Sequence, residues 1–174
     1  MGKIISSTSM TIDGVSDVDE WFIGDGSHMD AALDVFRGCE AMLTGRPTFE
    51  GLAGYWQTAE GPWAEAINPM PKYAISRTVS GPQQWNGTAI AGDAAETVAK
   101  LKADVDGDLF LTGCGELACT LLEAGLVDQV DLWVHPTVWG KGTRAYEGTK
   151  VPMRLLVSKP FDSGVTLLRY EPTA

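Results

Sequence analysis

Positive charge is scarce in this chain. Of 174 residues, 13 are Lys or Arg and 23 are Asp or Glu, a formal net charge of -10. Such a surface repels phosphodiester backbones and anionic lipid, which excludes nucleic acid and membrane surfaces as partners. Histidine is scarcer still. His28 and His135 stand alone, too few and too isolated for a histidine-rich metal site, so no metal is expected. The three cysteines, Cys39, Cys114 and Cys119, are odd in number and lack zinc-pair or CxxC spacing, which fits a reducing, cytoplasmic setting. No apolar run approaches the length of a membrane span, and the opening MGKIISSTSM has no signal-peptide core.

What remains is an acidic chain that is 44% hydrophobic, sized for a single domain over residues 1–174. A strand is expected from Lys3 to Met10, turned by Asp13-Gly14. SHMDAALDVFRGCE reads as a helix with Ser27 and Asp30 as a capping pair. AMLTG is a short buried strand, and PTFEGLAGYW a short helix that Gly51 and Gly54 break up. A further short helix lies in GPWAEAINPMP. KYAIS and TAIAG are strands. DAAETVAKLKA is a helix opened by a capping box, Asp93 with Glu96. DLFLT has the unbroken apolar character of a strand covered on both faces, and GCGELACTLLEAG follows as a glycine turn and helix. The last third alternates: Val130, Leu132 and Val134 share one face of QVDLWVHPTVWG, leaving Trp133 out of phase. RLLVSKPFDSGVTLLRYEP reads as a hairpin turned at Asp162-Ser163-Gly164. This order implies an α/β fold with a mixed, mostly parallel sheet, helices on both faces and an antiparallel edge.

Three features fall at strand C-termini, the edge where open α/β sheets bind ligands. They are Gly45-Arg46, Ser76-Arg77 and Gly113-Cys114-Gly115. Glycines let backbone N–H groups approach a phosphate, and the helix starting near Glu116 adds its positive end. Arg46 and Arg77 could hold a further phosphate through charge-assisted hydrogen bonds. A dinucleotide with an extra 2′-phosphate, NADPH, fits this set. The G-x-G-x-x-G fingerprint after the first strand is absent, so the site is not of the Rossmann kind.

The stretches SMTIDG, LTGRPTFEG..AGYW, KYAISRT, LTGCGELACTLLEAGLVDQVDLWVHPTVWGKG and FDSGVTLLRY together resemble the dihydrofolate reductase-like superfamily. The resemblance is to the branch holding the reductase domain of the bifunctional riboflavin-biosynthesis deaminase/reductase and its stand-alone bacterial relatives. It implies a three-layer fold around about eight strands, NADPH as cofactor, and hydride transfer to a ring. It places Gly45, Arg46, Thr48, Ser76 and Arg77 at the adenosine phosphate. Gly113, Cys114, Gly115 and Glu116 fall at the pyrophosphate, and Asp13-Gly14 beside nicotinamide and substrate.

The substrate side departs from the folate enzymes. Met70 stands near where they keep an arginine for the glutamate tail, and Lys72 is offset. Lys141 and Arg144 could form a second anion site for a ribosyl-phosphate pyrimidine. Trp21, Trp56 and Trp63 could roof a flat heterocycle. Asp13, Asp30 and bound water are the candidate proton donors, with His28 on the loop side. Trp133 and Trp139 suggest a homodimer through the C-terminal strands. The expected function is an NADPH-dependent reductase of a small heterocycle, such as a ribosylamino-pyrimidine or pterin-like compound. The alternative is a non-catalytic binder that keeps the fold.

Overall fold

A computed structural model describes residues 2–173. In chain order the elements are β1 (Ile4–Thr11), α1 (Ser27–Arg37), β2 (Ala41–Gly45), α2 (Arg46–Trp56), α3 (Pro62–Ile67), β3 (Lys72–Ser76), β4 (Gly81–Gln83), β5 (Gly87–Ala91), α4 (Ala94–Asp104), β6 (Leu109–Thr112), α5 (Glu116–Glu123), β7 (Gln129–His135), β8 (Met153–Pro160) and β9 (Thr166–Pro172). The strands form one nine-stranded sheet in the order β4-β5-β3-β2-β6-β1-β7-β9-β8. Strands β5, β3, β2, β6, β1 and β7 run parallel to one another. Among the described strands, β4, β9 and β8 pair antiparallel, at the two edges.

The central strands are apolar because helices cover both faces. Leu43 and Leu111 pack with Val98, Leu101, Leu121 and Leu122 of α4 and α5. On the opposite face, Met42, Phe110 and Ala74 pack with Phe36, Phe49, Ala53 and Ile67 of α1, α2 and α3. Burial of these side chains, at ~25 cal/mol per Å² of apolar surface, is the main term holding the three layers together. One consequence governs the rest of the molecule. Because six strands are parallel, their C-terminal ends share one edge, and α2 and α5 both begin there, directly after β2 and β6.

Four expectations are corrected. The strand count is nine because of β4, three residues long and largely exposed, which carries no pattern of its own. Helix α2 runs unbroken through Gly51 and Gly54, since buried Phe49 and Ala53 fix its inner face and outweigh the ~1 kcal/mol that each glycine costs. Helix α1 is not capped by Ser27 and Asp30. Its N-cap is Gly26, with no side-chain cap bond. Trp133 is 3% exposed rather than facing solvent. It packs with Val165, Leu167 and the α1 residues Ala31 and Ala32, and its indole N–H donates to Ser7 Oγ at 3.0 Å. The Asp93 cap is as expected, accepting the Glu96 amide, and Gly164 turns the last hairpin with φ +87°.

Gly87 opens β5 against the ring of Phe49. A Cβ there would lie 2.5 and 2.7 Å from two ring atoms, and Phe49 is 2% exposed and cannot swing away. Gly87→Ala is expected to destabilise the fold by about 1 to 3 kcal/mol in urea titration. An unchanged midpoint would show that this side of the core is loosely packed.

Candidate functional site

The shared strand edge opens into a groove of about 980 Å³. Its lining combines all three strand-end features: Gly45, Arg46 and Thr48; Ser76 and Arg77; Gly113, Gly115 and Glu116. Cys114 does not line it. That side chain is buried, and its carbonyl accepts the Tyr146 amide instead.

Two helices present free amides to this groove. The N-cap of α2 is Gly45 and that of α5 is Gly115, and neither helix has a side-chain cap bond. Uncapped first-turn N–H groups together with the helix dipole favour an anion. Pro47, in the first turn of α2, lacks an N–H and so leaves one fewer donor to satisfy. Thr48 is inside the helix rather than its cap, and its side chain is the nearest group to the Cβ position of Gly113, at 3.9 Å. Gly113 itself has φ +93°, a conformation that suits glycine.

Both arginines already meet carboxylates. Arg46 Nε donates to Glu50 Oε1 at 2.7 Å, one helical turn on. Arg77 pairs across the groove mouth with Glu116. All four side chains are largely exposed, so neither pair is worth more than ~1 kcal/mol and an incoming phosphate can replace the carboxylate. Ser76 Oγ is turned onto the amides of Thr78 and Val79 at 3.3 and 3.1 Å. Thr112, also in the lining, carries a buried Oγ1 with no hydrogen-bond partner. Thr112 lies outside the expected site residues, although a hydroxyl closing an apolar strand just before Gly113 is a readable signal. The orphaned hydroxyl, the uncapped helices and the paired glycines fit a dinucleotide.

The other expected site residues lie elsewhere. Asp13 sits at the end of β1, where its carboxylate accepts Thr11 Oγ1, Trp139 N and Gly140 N at 2.6, 3.0 and 2.8 Å. The Thr11 hydroxyl, followed by these amides, holds Asp13 far below the usual carboxylate range. A carboxylate so satisfied stays ionised and is a poor proton donor. Asp30 is exposed in the first turn of α1. Trp56 packs beside Trp63 in the core layer and does not line the groove. Lys72 is 1% exposed, bound to the carbonyls of Asn68 and Met70, and is no free cation for a carboxylate tail. Arg144 donates to the Asp13 carbonyl, and Lys141 lies over the Trp139 ring. His28 is buried at 1% exposure, not a surface cap residue.

The model of the RibD C-terminal domain matches residues 2–167. The chain belongs to the RibD C-terminal domain family. Among curated proteins, this RibD-type domain is 28% identical to the uncharacterized protein YyaP of Bacillus subtilis strain 168, over 97% of this chain and 94% of YyaP. Its fold is similar to that of a protein named for riboflavin biosynthesis from Shewanella sp. PV-4, with TM-score 0.77 and 16% identity over 99% of both chains. It is also similar to Enterococcus faecalis dihydrofolate reductase complexed with NADP(H), with TM-score 0.67 and 14% identity over 99% of this chain and 98% of that one. The family is a reductase-type domain, and its fold is shared with dihydrofolate reductase. No helix among the described residues is long and apolar enough to cross a membrane.

Beyond the groove, buried His135 is pushed down from 6.5 to about 4, first by burial and then by the neighbouring His28. The folded state therefore needs His135 neutral. Its contribution is intact above pH 6.5, declines as the unfolded chain takes up a proton, and is lost as pH falls through about 4. Stability should drop by about 1 to 3 kcal/mol over that window from this group. His135→Asn should flatten the urea-stability profile there. An identical slope in wild type and variant would contradict this assignment.

Proposed function

We propose that this domain is an NADPH-dependent reductase, cytoplasmic in setting, that passes a hydride to a small heterocycle such as a ribosylamino-pyrimidine or pterin-like compound. The observation that carries the reading is the meeting of two glycine-capped helix starts and two arginines in one groove of an otherwise acidic protein. Gly113, Gly115 and the first turn of α5 would hold the pyrophosphate, with Thr112 supplying a hydroxyl. Arg46, Thr48, Ser76 and Arg77 would hold the adenosine phosphate. When bound, NADPH supplies the hydride. The chain's own residues bind it, orient it and keep water from its reactive end.

Proton delivery falls to water, because Asp13 is committed to backbone amides and Asp30 lies on the open surface. The same observation supports a second reading, a nucleotide binder without turnover. Steady NADPH oxidation with any pyrimidine, pterin or quinoid acceptor would remove that second reading.

We also assign a homodimer to the C-terminal strands. Strand β8 is a sheet edge exposed almost throughout, with Met153, Leu155 and Leu156 at 37, 51 and 46% exposure. A bulge between Leu155 and Val157 lets neighbouring leucines present apolar surface. An uncovered apolar edge is an aggregation hazard that a second copy relieves. Sedimentation should show a dimer that Leu155→Asp with Leu156→Asp converts to monomer. A wild-type monomer at high concentration would refute the assignment.

Calorimetric titration tests the main reading. NADPH should bind and NADH bind more weakly, and Arg46→Ala should cost about 1.5 to 3 kcal/mol toward NADPH alone. Absence of NADPH binding to the wild type would overturn it.

A further inference from the structure

The only two histidines of the chain meet on one residue. The amide of Ile23 donates to His135 Nδ1 at 3.2 Å. The carbonyl of Ile23 accepts from His28 Nε2 at 3.0 Å. Both backbone groups of one loop residue are thus held by imidazoles, and both imidazoles are 1% exposed. The contacts fix the tautomers. A carbonyl only accepts, so His28 carries a proton on Nε2, and its Nδ1 meets the hydroxyl of Ser163 at 3.0 Å. An amide only donates, so His135 offers a bare Nδ1 and carries its proton on Nε2. That Nε2 has no hydrogen-bond partner, a cost tolerated where the other nitrogen is in use.

Ile23 lies in the 12–26 loop that joins β1 to α1. Along the strand edge the groove runs over β5, β3, β2 and β6, and β1 is the next strand. The loop after β1 therefore leaves the sheet at the same edge, one strand beyond the groove, and contributes none of the residues that line it. Residues 145 and 146 tie the two together: the Ala145 amide donates to the Gly14 carbonyl, and the Tyr146 amide to that of Cys114. The start of the loop is fixed separately, by Asp13 on the amides of Trp139 and Gly140 and by Asp17 on that of Thr143 at 2.6 Å. Its end depends on the histidines. Trp21 and Phe22 also rest on the His135 ring, at centroid distances of 5.1 and 5.0 Å.

We propose that His28 and His135 are positioning residues of the site, clamping Ile23 from both sides and so holding the β1–α1 loop as the wall for the reactive end of the bound dinucleotide. The proposal rests on the reading that the groove takes a dinucleotide. It assigns the histidines no proton transfer. Their work is geometric, done by one acceptor nitrogen and one donor nitrogen.

The test uses variants that remove or keep those atoms. His28→Leu and His135→Leu delete the bonds. His28→Gln keeps a donor near Nε2, and His135→Asn keeps an acceptor near Nδ1. Three readouts are taken: imidazole tautomers by nitrogen NMR of the wild type, amide hydrogen exchange at Ile23, and affinity for NADPH beside adenosine 2′,5′-bisphosphate. The bisphosphate reaches only the arginine end of the groove. The leucine variants should speed exchange at Ile23 and weaken NADPH about tenfold while leaving the bisphosphate unchanged, and Gln and Asn should restore both. Equal weakening of the two ligands would mean a general structural role and overturn the proposal. So would a proton on His135 Nδ1 in the wild type, or unchanged Ile23 exchange in folded leucine variants. If the leucine variants do not fold, the wild-type tautomers and the Gln and Asn variants decide. If the wild type binds neither ligand, the dinucleotide reading fails, and with it the wall role, while tautomers and exchange still decide whether the clamp exists.

Discussion

Everything at the candidate site depends on two helices starting, without side-chain caps, at the same edge of a parallel sheet. Gly45 and Gly115 provide no oxygen for the first-turn amides of α2 and α5. Polar groups left this way near a covered groove need a partner, and an anion satisfies several at once. α4 shows the contrast: it begins on the same edge, but Asp93 caps it. An uncapped start is not enough by itself, since α1 also begins at a glycine without a side-chain cap; what sets α2 and α5 apart is that both uncapped starts open into the groove.

In a chain of net charge -10, anions are repelled at long range, so binding must rely on contacts within a few ångström. Screening at physiological salt confines the repulsion to roughly 8 Å. Inside that distance, uncapped amides and two exchangeable Arg–Glu pairs act locally. The carboxylates of Glu50 and Glu116 occupy the arginines through exposed contacts, which keeps the cations in place at little thermodynamic cost.

Much of this was legible in the sequence. Gly45-Arg46 and Gly113-Cys114-Gly115 stand at the ends of apolar runs, where each alone is an ordinary turn or surface feature and only their combination points to a phosphate. That the strand ends share one edge depended on the strands being neighbours, which the order β5-β3-β2-β6 supplies. Other features were not legible because partners far along the chain decide them. Alternation in QVDLWVH assumed one open face, yet α1 and Val165 cover Trp133. Gly51 and Gly54 read as helix breaks, but burial of Phe49 and Ala53 outweighs their propensity. Asp13 looked like a free acid until the amides of Trp139 and Gly140 reached it. The histidines had no spacing signal at all, because the residue that joins them, Ile23, contributes only its backbone.

The most direct measurement is a crystal structure of the protein grown with NADPH. The account predicts the pyrophosphate against the amides of Gly113, Gly115 and the first turn of α5, with the 2′-phosphate at Arg46 and Arg77 and at least one of their glutamate partners displaced. NADPH bound away from these helix starts, or with both Arg–Glu pairs intact and no phosphate near them, would contradict it.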